Sequence, residues 1–272
     1  MGLAIAVAME DPQAFQEREI AMKRESEYFM GSSFPGLVVV LAIGVGQSAF
    51  GGNIRVLAYA TGGPGGEVTR LNQIGGIAAV GTADLDDVTP ENLANYDVFY
   101  AASTFGTALD AKASVLRDFL FGGGGIVVGQ ASVTGPIDWL PSGLGASVAD
   151  IWYPGGGHFV PTPSGLAHPI LDGLGTGDFG SVPSDTVYRF DLEPGWDVLL
   201  VHSTDGNIVG LASGAYGGGR ALLWPDRYDT GVGELPSDRF LRQAYEWVVP
   251  EPAALLLICG AAAAVLLKRR RS

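Results

Sequence analysis

Between residues 52 and 248, short apolar runs alternate with stretches whose apolar residues recur every three to four positions. That is the pattern of strands buried on both faces of a parallel sheet and of the helices that cover it. Ile54-Arg-Val-Leu-Ala-Tyr59 predicts a first strand, and a helix is expected over Val68 to Ile74 after a glycine-rich turn. Ile77 to Val80 and Val98 to Ala101 predict the second and third strands. Between them, Thr89-Pro90-Glu91-Asn92 sets a capping hydroxyl before a proline at the first helical position, a helix-start signal. Ala111 to Phe121 spaces Val115, Leu116, Phe119 and Leu120 along one helical face, Gly122 to Gly125 ends it, and Ile126 to Gly129 predicts a fourth strand. From Gln130 to Pro183 the pattern dissolves into Gly-, Pro- and Trp-bearing segments, read as a long irregular insertion. Further strands are expected at Thr186 to Phe190, Val198 to Val201, Ile208 to Ala212 and Ala221 to Trp224, with a closing helix from Asp238 to Trp247. The fold class expected for residues 52–248 is therefore α/β, a mostly parallel sheet with helices on both faces.

Outside this body the pattern changes. Leu37 to Val45 is an apolar run of signal-peptide length, with Ala49 and Gly51 at cleavage-site spacing behind it. Its basic leader is Lys23 and Arg24, directly after Met22, so residues 1–51 read as an upstream extension and signal peptide with the true start at Met22. An uncut N-terminal anchor is the alternative. Residues 249–272 hold Pro250-Glu251-Pro252, an apolar run from Ala253 to Leu267, and then Lys268, Arg269, Arg270 and Arg271. Fifteen helical residues rise about 22 Å against a hydrocarbon core of about 30 Å, so the run spans as a transmembrane helix only with its basic residues snorkelling. The positive-inside rule keeps that cluster cytoplasmic and puts the body on the other side, in agreement with an export signal.

Composition narrows the function classes. Apolar residues make up 47% and charged residues 17% of the 272, and the net charge is −13. Residues 52–249 hold nine Lys/Arg against 22 Asp/Glu, a surface that repels phosphate backbones, so no nucleic-acid partner is expected. Cys259, the single cysteine, lies in the C-terminal apolar run. The body thus has no disulfide, thiolate metal ligand or cysteine nucleophile.

The Pro-Glu-Pro triplet, apolar helix and terminal arginines resemble the PEP-CTERM sorting signal of Gram-negative bacteria. That resemblance implies processing by exosortase beside signal peptidase, an inner-membrane stage through residues 253–267, and delivery to the cell surface or its exopolysaccharide. The body is similar to the class I glutamine amidotransferase-like superfamily. The residues that carry this are Asn95-Tyr96-Asp97 before a strand, four glycines leading into Ile126-Val-Val, His168-Pro169-Ile170-Leu171-Asp172-Gly173-Leu174, and Gly218-Gly219-Arg220 leading a strand before the last helix. The resemblance implies a flavodoxin-like fold. Working members of the superfamily carry a cysteine in the turn after the strand matched by Ile126 to Gly129, with a histidine later. Here that turn is Gln130-Ala131-Ser132, so glutaminase chemistry is not expected and no dyad residue carries over.

In open parallel sheets ligands bind beyond the carboxyl ends of the strands. This gathers the Thr61 to Gly66 turn, the ligand-binding candidates Ser103, Thr104, Gln130 and Arg227, and the catalytic candidates Ser132 and Asp226. Ser132 would act as a nucleophile with His158, His168 or His202 as base, although its surroundings are not a G-x-S-x-G elbow. His168, before a proline, reads as a loop-fixing residue and His202 as a hydrogen-bonded surface residue at a strand end. The Thr61-Gly-Gly-Pro-Gly-Gly66 turn lacks the spacing and lysine of a phosphate loop and reads as a tight turn rather than an anion cradle. Asp84, Asp86 and Asp87 read as a solvated loop before a cation site. Trp139, Trp152, Trp224 and Tyr153 read as packing before sugar stacking. No cofactor or metal is expected. The function expected is an exported ligand-binding or scaffolding domain without catalysis, and its rival is a hydrolase, acting on glycans, in the cleft of Ser103, Ser132, Asp226 and Arg227.

Overall fold

The computed structural model describes residues 53–103, 106–129, 135–152, 157–180, 187–224 and 236–250, without the side chains of residues 103, 150–152 and 187–188. It is an α/β fold around one large sheet. β1 (Ile54–Ala60), β2 (Ile77–Thr82), β3 (Val98–Ser103), β4 (Gly125–Gly129) and β11 (Gly219–Trp224) run parallel. The sheet continues antiparallel through β10 (Val209–Tyr216), β9 (Trp196–His202) and β7 (Phe159–Pro161), giving the order β2-β1-β3-β4-β11-β10-β9-β7. The parallel strands begin on one side, here the amino edge, and end on the other, the carboxyl edge.

Each face needs a cover because β1, β3 and β4 are apolar on both. On one face α1 (Gly65–Gln73) and α5 (Asp238–Val248) close over Val56, Tyr100, Val127 and Leu222. The buried residues of α5 are Phe240, Leu241, Ala244, Tyr245 and Val248, a single stripe at helical spacing. The other face buries Leu57, Phe99, Ile126 and Leu223 beneath α3 (Ala113–Phe121) and the loops of a second sheet. The start signal at Thr89 forms as expected: its hydroxyl accepts from the Asn92 backbone N–H at 3.2 Å and opens the short helix α2 (Pro90–Leu93).

The insertion departs from its expected irregularity. β5 (Gly135–Pro136), β6 (Ala146–Trp152) and β8 (Val187–Leu192) form a three-stranded antiparallel sheet, while β7 and α4 (Pro163–Leu166) join the main body. β6 pairs with β8 about forty positions later, a partnership invisible to local periodicity. The strand expected at Thr186 to Phe190 thus belongs to the small sheet. The two sheets are tied by Trp196, whose indole N–H donates to the Leu144 carbonyl at 3.0 Å. No helix among the described residues is long and apolar enough to cross a membrane. The expected membrane helix falls on residues 253–267, outside the described residues.

Close packing at the amino edge depends on glycine. A Cβ added at Gly219 would stand 2.1 Å from the Leu120 carbonyl oxygen and 2.4 Å from that of Gly124, whereas one at Gly65 would meet nothing within 4 Å. Gly219→Ala is therefore expected to lower stability by about 1–3 kcal/mol through overpacking. Gly65→Ala, in the first turn of α1, should leave stability unchanged or raise it by about 0.5–1 kcal/mol. Urea denaturation of the two variants checks both.

Candidate functional site

The connection from β1 through α1 reaches β2 on one side, and the chain then returns past β1 to β3 on the other. In open parallel sheets such a reversal marks the crevice where ligands bind, here between the carboxyl ends of β1 and β3. Gly62 and Gly63, both at positive φ, turn the chain from β1 into α1, and the Gly63 N–H closes the turn on the Ala60 carbonyl at 3.0 Å. Glu67 then sits in the first turn of α1 with only 4% of its surface exposed, on the same inward stripe as Leu71. Among the described residues no hydrogen bond or ion pair reaches its carboxylate. A carboxylate there already occupies the positive end of the helix, which disfavours a bound anion and leaves the glycines as a plain tight turn.

On the same sheet face, three buried aromatic residues with polar atoms converge. Tyr100 of β3, Trp224 of β11 and Tyr245 of α5 lie with ring centroids 6.3 to 6.5 Å apart. Gly129 makes room for them: a Cβ there would stand 2.9 Å from the Tyr100 hydroxyl and 3.2 Å from the Trp224 indole nitrogen. The Tyr245 hydroxyl is fully buried with no hydrogen-bond partner, and burial holds its pKa well above 10, so it stays a neutral donor. None of Glu67, Tyr100 and Tyr245 stood out in the sequence. Glu67 was legible in principle from its spacing to Leu71 and Ile74, once the helix is started at Gly65 rather than Val68.

The candidates read from sequence fare unevenly. Thr104, Gln130, Ser132, Asp226 and Arg227 lie outside the described residues, as does the Ser103 side chain, though Ser103 itself ends β3. In the sequence, residues 104–105, 130–134 and 225–235 come directly after β3, β4 and β11. Of the sorting motif, Pro250 is described and half-buried, while Glu251, Pro252 and Lys268 to Arg271 lie outside.

The histidines scatter. His202 is not the expected surface residue: it is 1% exposed, its Nδ1 accepts from the Thr204 N–H at 3.3 Å, and Gly157 seals its Nε2 so closely that a Cβ would stand 2.5 Å away. β9 lies three strands from β4, about 14 Å at sheet spacing, far beyond hydrogen-bond reach. His158 precedes β7, one strand further out, and is exposed. His168 fixes a loop as expected, its Nδ1 accepting from the Ile170 N–H at 3.3 Å. Its Nε2 consequently carries the proton and faces the Ser213 hydroxyl at 3.4 Å, the reverse of what a general base requires. His168 also packs on Trp247 at 4.9 Å, at the amino edge, opposite the crevice.

The remaining candidates are structural. Asp84 caps its own turn by accepting from the Asp86 N–H at 2.9 Å, the Thr82 hydroxyl donates to Asp87, and no group of ligating residues among those described can hold a metal. Trp139 and Trp224 are buried core residues and offer no open face to a sugar, while the Trp152 side chain and Tyr153 lie outside the described residues. A groove of about 500 Å³ on the opposite face runs beside Arg117, Asp138, Asp191 and Glu193. Its Arg117 donates to the carbonyls of Asp138, Trp139 and Leu140, and its Glu193 accepts from the Gly143 and Gly145 N–H groups, so two of its four charges hold loops.

Two measurements test these assignments. Removing the unpartnered hydroxyl in Tyr245→Phe should raise the stability of the ligand-free protein by about 1–2 kcal/mol, read from the urea midpoint; a fall would show that the hydroxyl is bonded in solution. Burial, opposed by Asp197 and reinforced by Arg220, holds the His168 pKa below its ordinary 6.5. Above 6.5 both folded and unfolded states are neutral at this residue. As pH falls through 6.5 the unfolded state takes the proton first, so stability declines until the lower folded value is passed. His168→Asn, which retains a capping side chain, should remove this decline in a pH series of urea midpoints.

No protein-family model matches the chain, and no curated protein matches it by sequence. Solved structures do resemble it. A cytoplasmic protein from Salmonella typhimurium is 13% identical, covering 72% of this chain and 99% of its own, with a TM-score of 0.50. A second, from Salmonella typhimurium LT2, is 15% identical over 72% and 96% at the same score. A ThuA-like protein from Bacteroides uniformis is 15% identical over 72% and 90%, again at 0.50. At these identities the likeness is one of fold.

Proposed function

We propose that the chain is an exported protein, sorted to the cell surface or extracellular matrix by its C-terminal tail, whose α/β body binds a ligand at the carboxyl edge without glutamine hydrolysis. The order of Pro250-Glu251-Pro252, the apolar run and Lys268 to Arg271 carries this reading. The apolar run at Leu37 to Val45 supports it with the same topology from the other end. The order β2-β1-β3-β4-β11 supports a flavodoxin-like, amidotransferase-like body in which residues 130–218 are inserted before the last parallel strand. The switch point between β1 and β3, on the sheet face that buries Glu67 and Tyr245, supports the ligand-binding reading. The body contains no thiol. The rival hydrolase finds no support in the histidines, of which one lies at the opposite edge and two lie at least three strands from the end of β4.

The deciding experiment follows the mature C-terminus of the protein in the native host by mass spectrometry. Wild type is expected to end near the triplet and to appear at the surface. Pro250→Ala with Glu251→Ala and Pro252→Ala should retain Arg271 and stay in the membrane fraction. An intact Lys268 to Arg271 on mature wild type would sink the sorting reading.

A further inference from the structure

We infer that the amino edge of the sheet is a membrane-docking surface, which seats the body on the bilayer with the carboxyl edge turned outward. This rests on residues 253–267 being a membrane segment. Four observations carry it.

Both ends of the body lie on that edge. β1 begins there at Ile54, and α5 ends there, with its Val248 carbonyl against Gly125 at the start of β4. The two long apolar runs outside the body, Leu37 to Val45 and Ala253 to Leu267, are therefore attached at the same edge.

The exit point is fixed. Arg220 donates to the Trp247 carbonyl at 2.7 Å and stands over its ring at 5.1 Å, while His168 packs against that ring. Val249 still packs on the core. Only Glu251 and Pro252 then separate Pro250 from the apolar run, a reach of about 10 Å for a fully extended chain.

The surface at this exit suits a headgroup region. Phe121, 63% exposed, meets Tyr216 at 5.8 Å beside the exposed Gly217-Gly218 turn, and its carbonyl accepts from the Gly218 N–H at 2.9 Å. Leu166 is 76% exposed, two residues from His168. Exposed aromatic and aliphatic side chains beside half-buried Trp247 and Arg220 have the composition of an interfacial belt.

Charge favours the same orientation. Arg55 pairs with Asp97 at 3.0 Å and Arg242 with Glu246 at 2.8 Å, both at the amino edge. Asp84, Asp86 and Asp87 follow β2 at the carboxyl edge. An acidic body meets an anionic bilayer with less repulsion through the edge that carries these two ion pairs than through the acids beyond β2.

The test uses the full chain with Cys259→Ala, reconstituted in vesicles of phosphatidylethanolamine and phosphatidylglycerol. A polarity-sensitive fluorophore is placed at Gly218→Cys on the amino edge or at Asp86→Cys on the carboxyl edge, with nitroxide-bearing lipid as quencher. The Gly218→Cys label should shift to the blue and be quenched, and the Asp86→Cys label should emit as in water. Phe121→Ser with Leu166→Ser should abolish the quenching while alkaline-resistant association and the urea midpoint stay as in the parent. Equal quenching at both sites, or none at either in a chain that resists alkaline extraction, overturns the docking surface alone. A chain that alkali strips from the vesicles overturns the membrane reading of the tail, and docking with it.

Discussion

A parallel sheet exposes apolar side chains on both faces, and no strand of it is stable until each face is covered. Here that constraint organises everything else. α1 and α5 close one face and α3 with the second sheet closes the other, and the helices approach so tightly that glycine is obligatory at Gly125 and Gly219. α5 matters most, because its single buried stripe spans the sheet from edge to edge. Near its middle Tyr245 meets Tyr100 and Trp224, and near its end Trp247 is clamped by Arg220 and His168. One helix therefore completes the aromatic cluster and also fixes where the chain leaves the body.

Much of this was legible in the sequence where the determinants are local. β1, β3 and β4 are continuous apolar runs, Thr89-Pro90 is a capped start, and the spacing from Phe240 to Val248 is a stripe. The second sheet was not legible because β6 and β8 are short, half-polar strands joined by a distant pairing. The antiparallel hairpin of β10 and β11 turns at Gly217, whose positive φ only a glycine-rich sequence serves readily, so its signal was present but read only as a lead into a strand.

The site was half legible for a different reason. Topology alone placed it at the carboxyl edge, and the sequence nominated polar residues in the loops that follow the strands. The groups the structure adds are aromatic residues that count as core by any burial pattern. Tyr100 and Tyr245 differ from core phenylalanines only by a hydroxyl, and nothing in spacing says whether that hydroxyl finds a partner. Glu67 was hidden by a three-residue error at a helix start. What the described residues add on that face of the sheet is one buried carboxylate and three buried aromatic residues with polar atoms.

The two edges of the sheet are thereby specialised in opposite directions, and the dimensions of the strands keep them apart. A strand of seven residues such as β1 rises about 23 Å, while charges in physiological salt are screened over about 8 Å. The acids beyond β2 are thus separated from the amino edge by more than two screening lengths. A body held within about 10 Å of a bilayer by two residues would be repelled if those acids faced it, yet it feels little repulsion when the paired Arg55–Asp97 and Arg242–Glu246 edge does. Sheet polarity, fixed by the connections that put α1 and α2 between parallel strands, thus separates the edge where open sheets of this kind take ligands from the edge at which α5 ends.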